Sequence, residues 1–182
     1  MKLDLFSTPV WIGNIDASKI VIKPQETKPS WDAEIQTTWG VRNDIDNESV
    51  QYLFDNLINL LDETIISPYT INLINIWENF YKEDDFQEKH IHPGSDLSFI
   101  IYKQVEESRT IFYNPAVNLM QAFFDEDTRK TKLFGNQSVK LSCRQNQIVV
   151  FPSHIEHMVR KTSDAITIAG NLKLKFGSNN ET

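Results

Sequence analysis

Asp85-Phe86-Gln87-Glu88-Lys89-His90-Ile91-His92-Pro93-Gly94-Ser95-Asp96 places two histidines two residues apart, just ahead of a proline–glycine turn. On an extended strand, residues i and i+2 share a face, so His90 and His92 can aim their rings at one point. The other two histidines stand in Phe151-Pro152-Ser153-His154-Ile155-Glu156-His157, and no fifth exists. A third imidazole arriving from that distant segment would close one face of a metal coordination sphere. The opposite face would stay open to other ligands, the layout of a non-haem iron site.

His154 and His157 cannot both face inward on one extended strand, because three steps reverse the face. His157 is the expected ligand: Pro152-Ser153 reads as a turn, and Met158-Val159 carries an apolar strand onward. His154 is expected at the rim or in the loop. Asp96 could add a carboxylate, or could cap the Pro93-Gly94 turn. By itself a His-x-His pair also suits a polar surface. The distant Pro-x-His-x-x-His element, with no histidine left over, favours a metal.

Working outward, the pattern from residue 70 onward is β. Expected strands are 70–81, 96–102, 110–113, 138–143, 147–151, 157–161 and 165–176, separated by turn signals such as Asn114-Pro115 and Gly135-Asn136. Residues 118–124 read as a short helix or an irregular loop. Upstream, Val50, Leu53, Phe54, Leu57, Ile58 and Leu61 recur at helical spacing and predict an amphipathic helix over 48–63. Short apolar runs at 8–13 and 19–23 are β-prone, whereas 24–45 is polar and irregular. The expected fold is mainly β: a double-stranded β-helix, or jelly roll, with one long N-terminal helix packed outside and the whole chain 1–182 as a single domain.

The 182 residues suffice for one self-supporting core. A net charge of −7 disfavours nucleic acid and anionic lipid, both of which demand a basic patch. No stretch approaches the roughly 20 apolar residues of a membrane span. No signal peptide is read in Met1-Lys2-Leu3-Asp4-Leu5-Phe6, and the single Cys143 fits a reducing compartment, so a cytoplasmic location is expected. A homodimer is compatible with such a fold.

Several motifs together resemble the 2-oxoglutarate/Fe(II) oxygenase family found in tailed bacteriophages and marine bacteria, relatives of the prolyl-hydroxylase-like enzymes. They are Leu5-Phe6-Ser7-Thr8-Pro9-Val10-Trp11, Asn75-Ile76-Trp77-Glu78-Asn79, the His90-Ile91-His92-Pro93 segment with Leu97-Ser98-Phe99-Ile100-Ile101-Tyr102, Phe112-Tyr113-Asn114-Pro115, the His154/His157 segment, and Ile166-Thr167-Ile168-Ala169-Gly170-Asn171. The resemblance implies a double-stranded β-helix, Fe(II), 2-oxoglutarate, and oxidation of a C–H bond with release of succinate and carbon dioxide. If the family's bacteriophage setting applies, the location would be the host cytoplasm.

By the same resemblance, His90, His92 and His157 are the metal ligands. Many relatives carry aspartate where this chain has His92, so three neutral imidazoles would leave the ion more positive. The family also places an arginine at the start of its last strand, against the distal carboxylate of 2-oxoglutarate. Here that position is Ala165. Inward parity along the last strand gives Ala165, Thr167, Ala169, Asn171 and Lys173. Arg160, Lys161 or Lys173 could substitute, with Tyr102 and Asn171 as polar partners; Arg160 and Lys161 also suit a solvated turn. Gln87, Trp77, Asn79 and Tyr81 are expected to border the cavity. The alternative function is a cupin-like metalloenzyme, or a metal-binding β-sandwich, that does not use 2-oxoglutarate. The substrate, a small molecule or a peptide, is not named by the sequence.

Overall fold

A computed structural model describes residues 7–24, 26–30, 35–62, 64–65, 68–130, 136–160 and 163–177. Short strands open the chain: β1 (Trp11–Asn14), β2 (Ile22–Pro24), β3 (Lys28–Pro29), β4 (Gln36–Thr37) and β5 (Asn43–Ile45). Helix α1 (Asn47–Leu61) follows. Then come β6 (Tyr69–Tyr81), β7 (Gln87–His90), β8 (Leu97–Gln104), β9 (Thr110–Tyr113), helices α2 (Val117–Phe123) and α3 (Glu126–Lys130), β10 (Ser138–Lys140), β11 (Gln147–Pro152), β12 (His157–Val159) and β13 (Ala165–Phe176).

Strands β6 to β13 contribute four members to each of two facing antiparallel sheets. The larger sheet runs β1-β11-β8-β13-β6-β4-β3 and the smaller runs β10-β9-β12-β7. This is the expected jelly roll. The stretch 24–45, expected to be irregular, instead supplies β3 and β4 as an extension of the larger sheet and β5 as the partner of β2. Strand β7, the extended segment that the His90/His92 reading requires, ends at His90 and leaves His92 beyond it. The 118–124 segment forms α2, and β10 stops at Lys140 rather than Cys143.

Helix α1 begins at Asp46, whose carboxylate accepts the Ser49 backbone N–H at 2.8 Å. That bond satisfies one of the open donors of the first turn. Leu53, Leu57 and Leu61, spaced four apart, are fully buried against Phe99, Ile101, Ile148, Val150, Ile168 and Leu172 of the larger sheet. The opposite face of that sheet packs on the smaller one through Ile100, Tyr102, Phe112, Val149 and Phe151. Alternation along each strand therefore divides its side chains between a helix-side core and an inter-sheet space. Among the described residues, no helix is long and apolar enough to cross a membrane.

Strand β6 carries one irregularity. Asn75 pairs with Asn171, yet the next pair is Leu73 with Leu172, leaving Ile74 surplus. This β-bulge shifts the phase of the alternation. Ile71 and Leu73 pack toward the helix, while Trp77, Asn79 and Tyr81 line the space between the sheets.

Candidate metal centre

Strands β7 and β12 are neighbours, and His90 at the end of one pairs directly with His157 at the start of the other. His92 lies beyond the strand, in the loop leading to Gly94. Its ring is set by a pair of backbone clips rather than by strand alternation. The His92 N–H donates to Ser153 O at 3.0 Å, and the Ser153 N–H donates to Asp96 O at 3.0 Å. Gly94 carries the turn at a φ of +84°, a conformation glycine adopts without steric cost. The two histidine segments, remote in sequence, are thereby fastened to each other.

The nitrogens of His90, His92 and His157 converge within 4.8 Å of one another. His92 Nε2 lies 3.3 Å from His157 Nε2. His90 Nδ1 is 2.7 Å from Glu88 O, and His157 Nδ1 is 3.0 Å from Ile155 O. A carbonyl can only accept, so each Nδ1 carries the proton and each Nε2 keeps its lone pair for a cation. This is the outer hydrogen bonding that metal-bound histidines characteristically show. Trp77 stacks on His92 with ring centroids 5.8 Å apart, and Phe151 meets His157 edge-on at 4.8 Å. Burial, together with the neighbouring His90 and His92, pushes the His157 imidazole well below its ordinary pKa, keeping it neutral.

Two hollows meet at the triad. An inner cavity between the sheets is lined by His90, His92, His157, Trp77, Asn79, Tyr81, Gln87 and, farther along, Tyr102, Ser108, Arg109, Thr110 and Ala165. An outer groove is lined by Trp39, Asn75, Lys89, Ile91, Pro93 and Asn171, and shares Trp77, Gln87, His90 and His92 with the inner cavity. The expected border residues Trp77, Asn79, Tyr81 and Gln87 are thus all on the cavity wall. Trp77 is at the same time a packed core residue, 5% exposed.

Other expectations need correction. Asp96 does not face the triad. Its carboxylate accepts Lys173 Nζ at 2.9 Å and the Leu174 N–H at 2.9 Å, which holds its pKa below the ordinary value. Lys173 is therefore engaged at the surface and lines neither hollow. Arg160 is exposed and also lines neither. Lys161 lies outside the described residues. Asn171 is buried and lines the outer groove, with its Oδ1 accepting the Ser98 hydroxyl at 2.8 Å. His154 is exposed on the Ser153-His154 turn, apart from the triad.

Tyr102 does reach the inner cavity. Burial raises its phenol to a pKa of about 12, so it stays protonated. Sequence reading missed Ser108, Arg109 and Thr110. Their only signal was position: they lead into β9, which starts at Thr110 and lies on the far side of β12 from β7.

Comparison with known proteins accords with this geometry. A family model described as "Putative 2OG-Fe(II) oxygenase" matches residues 75–171. No curated protein matches the chain in sequence. Among solved structures, an oxidoreductase of the 2OG-Fe(II) oxygenase family from Burkholderia pseudomallei is 13% identical, with a TM-score of 0.51 over 81% of this chain and 71% of that one. The viral collagen prolyl hydroxylase of Paramecium Bursaria Chlorella virus-1, solved with 2OG, is 9% identical, with a TM-score of 0.50 over 78% and 79%. HygX from Streptomyces hygroscopicus, solved with nickel, 2-oxoglutarate and hygromycin B, is 8% identical, with a TM-score of 0.52 over 91% and 83%. At such identities the solved structures speak to the fold, and the family match spans more than half of the chain: this protein belongs to the 2OG-Fe(II) oxygenase family.

Proposed function

We propose that the protein holds Fe(II) through the Nε2 atoms of His90, His92 and His157, takes 2-oxoglutarate in the inner cavity, and oxidises a substrate lying in the outer groove. The observation that supports this most is the position of the triad, at the junction of two hollows, with the Nδ1 atoms of His90 and His157 already tied to carbonyls. The donor set fits a first-row divalent ion, since imidazole suits iron as well as zinc, copper and nickel. Bound iron with 2-oxoglutarate and oxygen supplies C–H oxidation, coupled to formation of succinate and carbon dioxide.

The chain's own residues orient and seclude. Trp77 and Phe151 hold the rings of His92 and His157 in place and keep bulk water from them. With no carboxylate among the ligands, the anionic head of an α-keto acid is the natural charge partner of the ion. In the groove, exposed Trp39 and Ile91 offer apolar surface, and Asn75 and Asn171 offer amides. These suit a small molecule or a peptide side chain with one apolar face. The net charge of −7 disfavours a polynucleotide. The lone, buried Cys143 suits a reducing, cytoplasmic setting.

The test is anaerobic addition of 2-oxoglutarate to Fe(II)-loaded protein, followed by admission of oxygen. Quenching of tryptophan fluorescence, through Trp77, and slow succinate release without added substrate are expected. Protein that binds Fe(II) and shows neither response favours the cupin-like alternative.

A further inference from the structure

We infer that Asn171 is the substrate-reading donor of the outer groove: its amide N–H groups take a carbonyl or carboxylate oxygen of the substrate and so fix which C–H faces the triad. This assignment rests on the proposed use of that groove by the substrate. Expected beside the cosubstrate, Asn171 instead lines the outer groove and not the inner cavity.

A row of hydroxyls holds the amide in one orientation. Asn171 of β13 pairs with Ser98 of β8 on one side and with Asn75 of β6 on the other, so the three side chains share a face of the larger sheet. Ser98 Oγ donates to Asn171 Oδ1 at 2.8 Å and lies 2.8 Å from Ser153 Oγ. Ser98 has one hydroxyl proton and gives it to Asn171, so Ser153 donates to Ser98. Ser98 and Ser153 are each 1% exposed, and Asn171 is 8% exposed. With Oδ1 committed, the two N–H groups on Nδ2 are what Asn171 presents to the groove.

Nδ2 donates to no acceptor among the described residues. It is not sealed in, because among their fully enclosed side-chain polar atoms only Asn43 Oδ1 lacks a partner. A donor this deep and still open to a groove marks the place of a ligand oxygen, since buried polar groups are otherwise paired. Asn171 offers donors only. A carbonyl or carboxylate oxygen has lone pairs and no proton, and matches such a face; a substrate N–H would find no acceptor there. Asn75, directly opposite, is exposed and makes no side-chain hydrogen bond among the described residues, which leaves a second amide in the row. Trp39 and Ile91, 41% and 45% exposed, add apolar contact. The class that fits is a small carboxylic acid or carboxamide carrying an apolar group.

The same residues tie this donor to the metal ligands. Ser153, which heads the hydroxyl row, also accepts the His92 backbone N–H at 3.0 Å through its carbonyl. The Asn75–Asn171 pair is two residues from the Trp77–Ala169 pair, about 7 Å along the strands, and Trp77 stacks on His92. A substrate oxygen on Asn171 therefore leaves a carbon a few bonds away facing the triad.

The experiment uses Zn(II)-loaded protein and three probes that share a benzyl group: phenylacetamide, phenylacetate and 2-phenylethanol, with binding followed by tryptophan fluorescence. Wild type is expected to bind the amide or the acid at least about tenfold more tightly than the alcohol, as one or two buried hydrogen bonds would give. The tighter of the two names the substrate's oxygen as carboxamide or carboxylate. Asn171→Asp keeps an acceptor for Ser98 but turns an oxygen to the groove; it should lose the preference and bind the alcohol at least as well as wild type does. Ser98→Ala leaves the groove residues in place but frees the amide to rotate, and should lose about threefold of the preference. Any contact of the acid with zinc is common to wild type and variants and cancels in their ratio. Unchanged Zn(II) stoichiometry verifies the triad in each variant. Full preference in either variant overturns the assignment, as does wild type that binds all three probes alike. Wild type that binds none of them overturns the groove as the substrate's site as well. None of these readings uses 2-oxoglutarate, so a failed cosubstrate response remains a separate result.

Discussion

The Nε2 atoms of His92 and His157 stand 3.3 Å apart across 65 residues of sequence, His92 in a loop and His157 in a strand. Such proximity of two like donors is stable only while at most one nitrogen bears a proton, or while both face a shared cation. Replacement of either by alanine should therefore weaken Fe(II) or Co(II) by more than the about 10–100-fold typical of losing an outer hydrogen-bond partner. His90→Ala should do the same, whereas His154→Ala should leave the titration unchanged.

The buried His157 ring makes the metal-free protein sensitive to mild acid. Its folded pKa lies well below the ordinary 6.5, so between those two values the unfolded chain binds more protons. Stability is complete above about pH 6.5 and declines as pH falls toward the lowered folded value. Thermal melts of metal-free protein at pH 5.5 and 7.5 should show that loss. His157→Gln should flatten the dependence, and saturating metal at pH 7.5 should raise the melting temperature by linkage.

Asp96 works for the fold rather than for the metal. Asp96→Asn should leave metal affinity intact, because the carboxylate is turned to Lys173 and to the Leu174 N–H. Its pKa is lowered in the folded state, so its contribution is present above the ordinary carboxyl range and lost as pH falls through the lowered value. The side chain is 38% exposed, so the ion pair itself is worth no more than about 1 kcal/mol. Urea melts of the variant at neutral pH should register a small loss.

Gly170 lies in the central strand β13 against the Phe99 ring and the Asn75 carbonyl, which occupy the space a methyl group would need. Gly170→Ala should cost about 1–3 kcal/mol through overpacking. Phe99→Leu in the same chain should relieve part of that strain, a non-additivity that a double-mutant cycle by chemical denaturation would measure.

The clustering of His90, His92 and His157 was legible in the sequence because the chain has few histidines and groups them. Spacing alone placed His90 and His92 on a common point, although His92 reaches it from a loop rather than by strand parity. The jelly roll was legible from the run of short strands after residue 70. Strands β3, β4 and β5 were not: at two or three residues each they carry no periodicity, and pairing with β6 and β2 creates them. The bounds of strand β7 were hidden by its polar composition, Gln87-Glu88-Lys89-His90, at the edge of the smaller sheet. A cation for the distal carboxylate was sought among Arg160, Lys161 and Lys173, of which Arg160 lines neither hollow and Lys173 is held by Asp96.

Ile74, the surplus residue of β6, has a consequence for the metal centre some distance away. If it were instead drawn into the ladder opposite Asn171, pairing of Tyr69–Leu73 with β13 could persist, but every later residue of the strand would pair one step along and turn to the other face. Trp77 would leave its stack on His92, and Asn79 and Tyr81 would be thrust among the leucines of α1. One extra backbone unit thus acts as a phase-shifter, deciding which residues of a continuous ribbon face the reaction chamber.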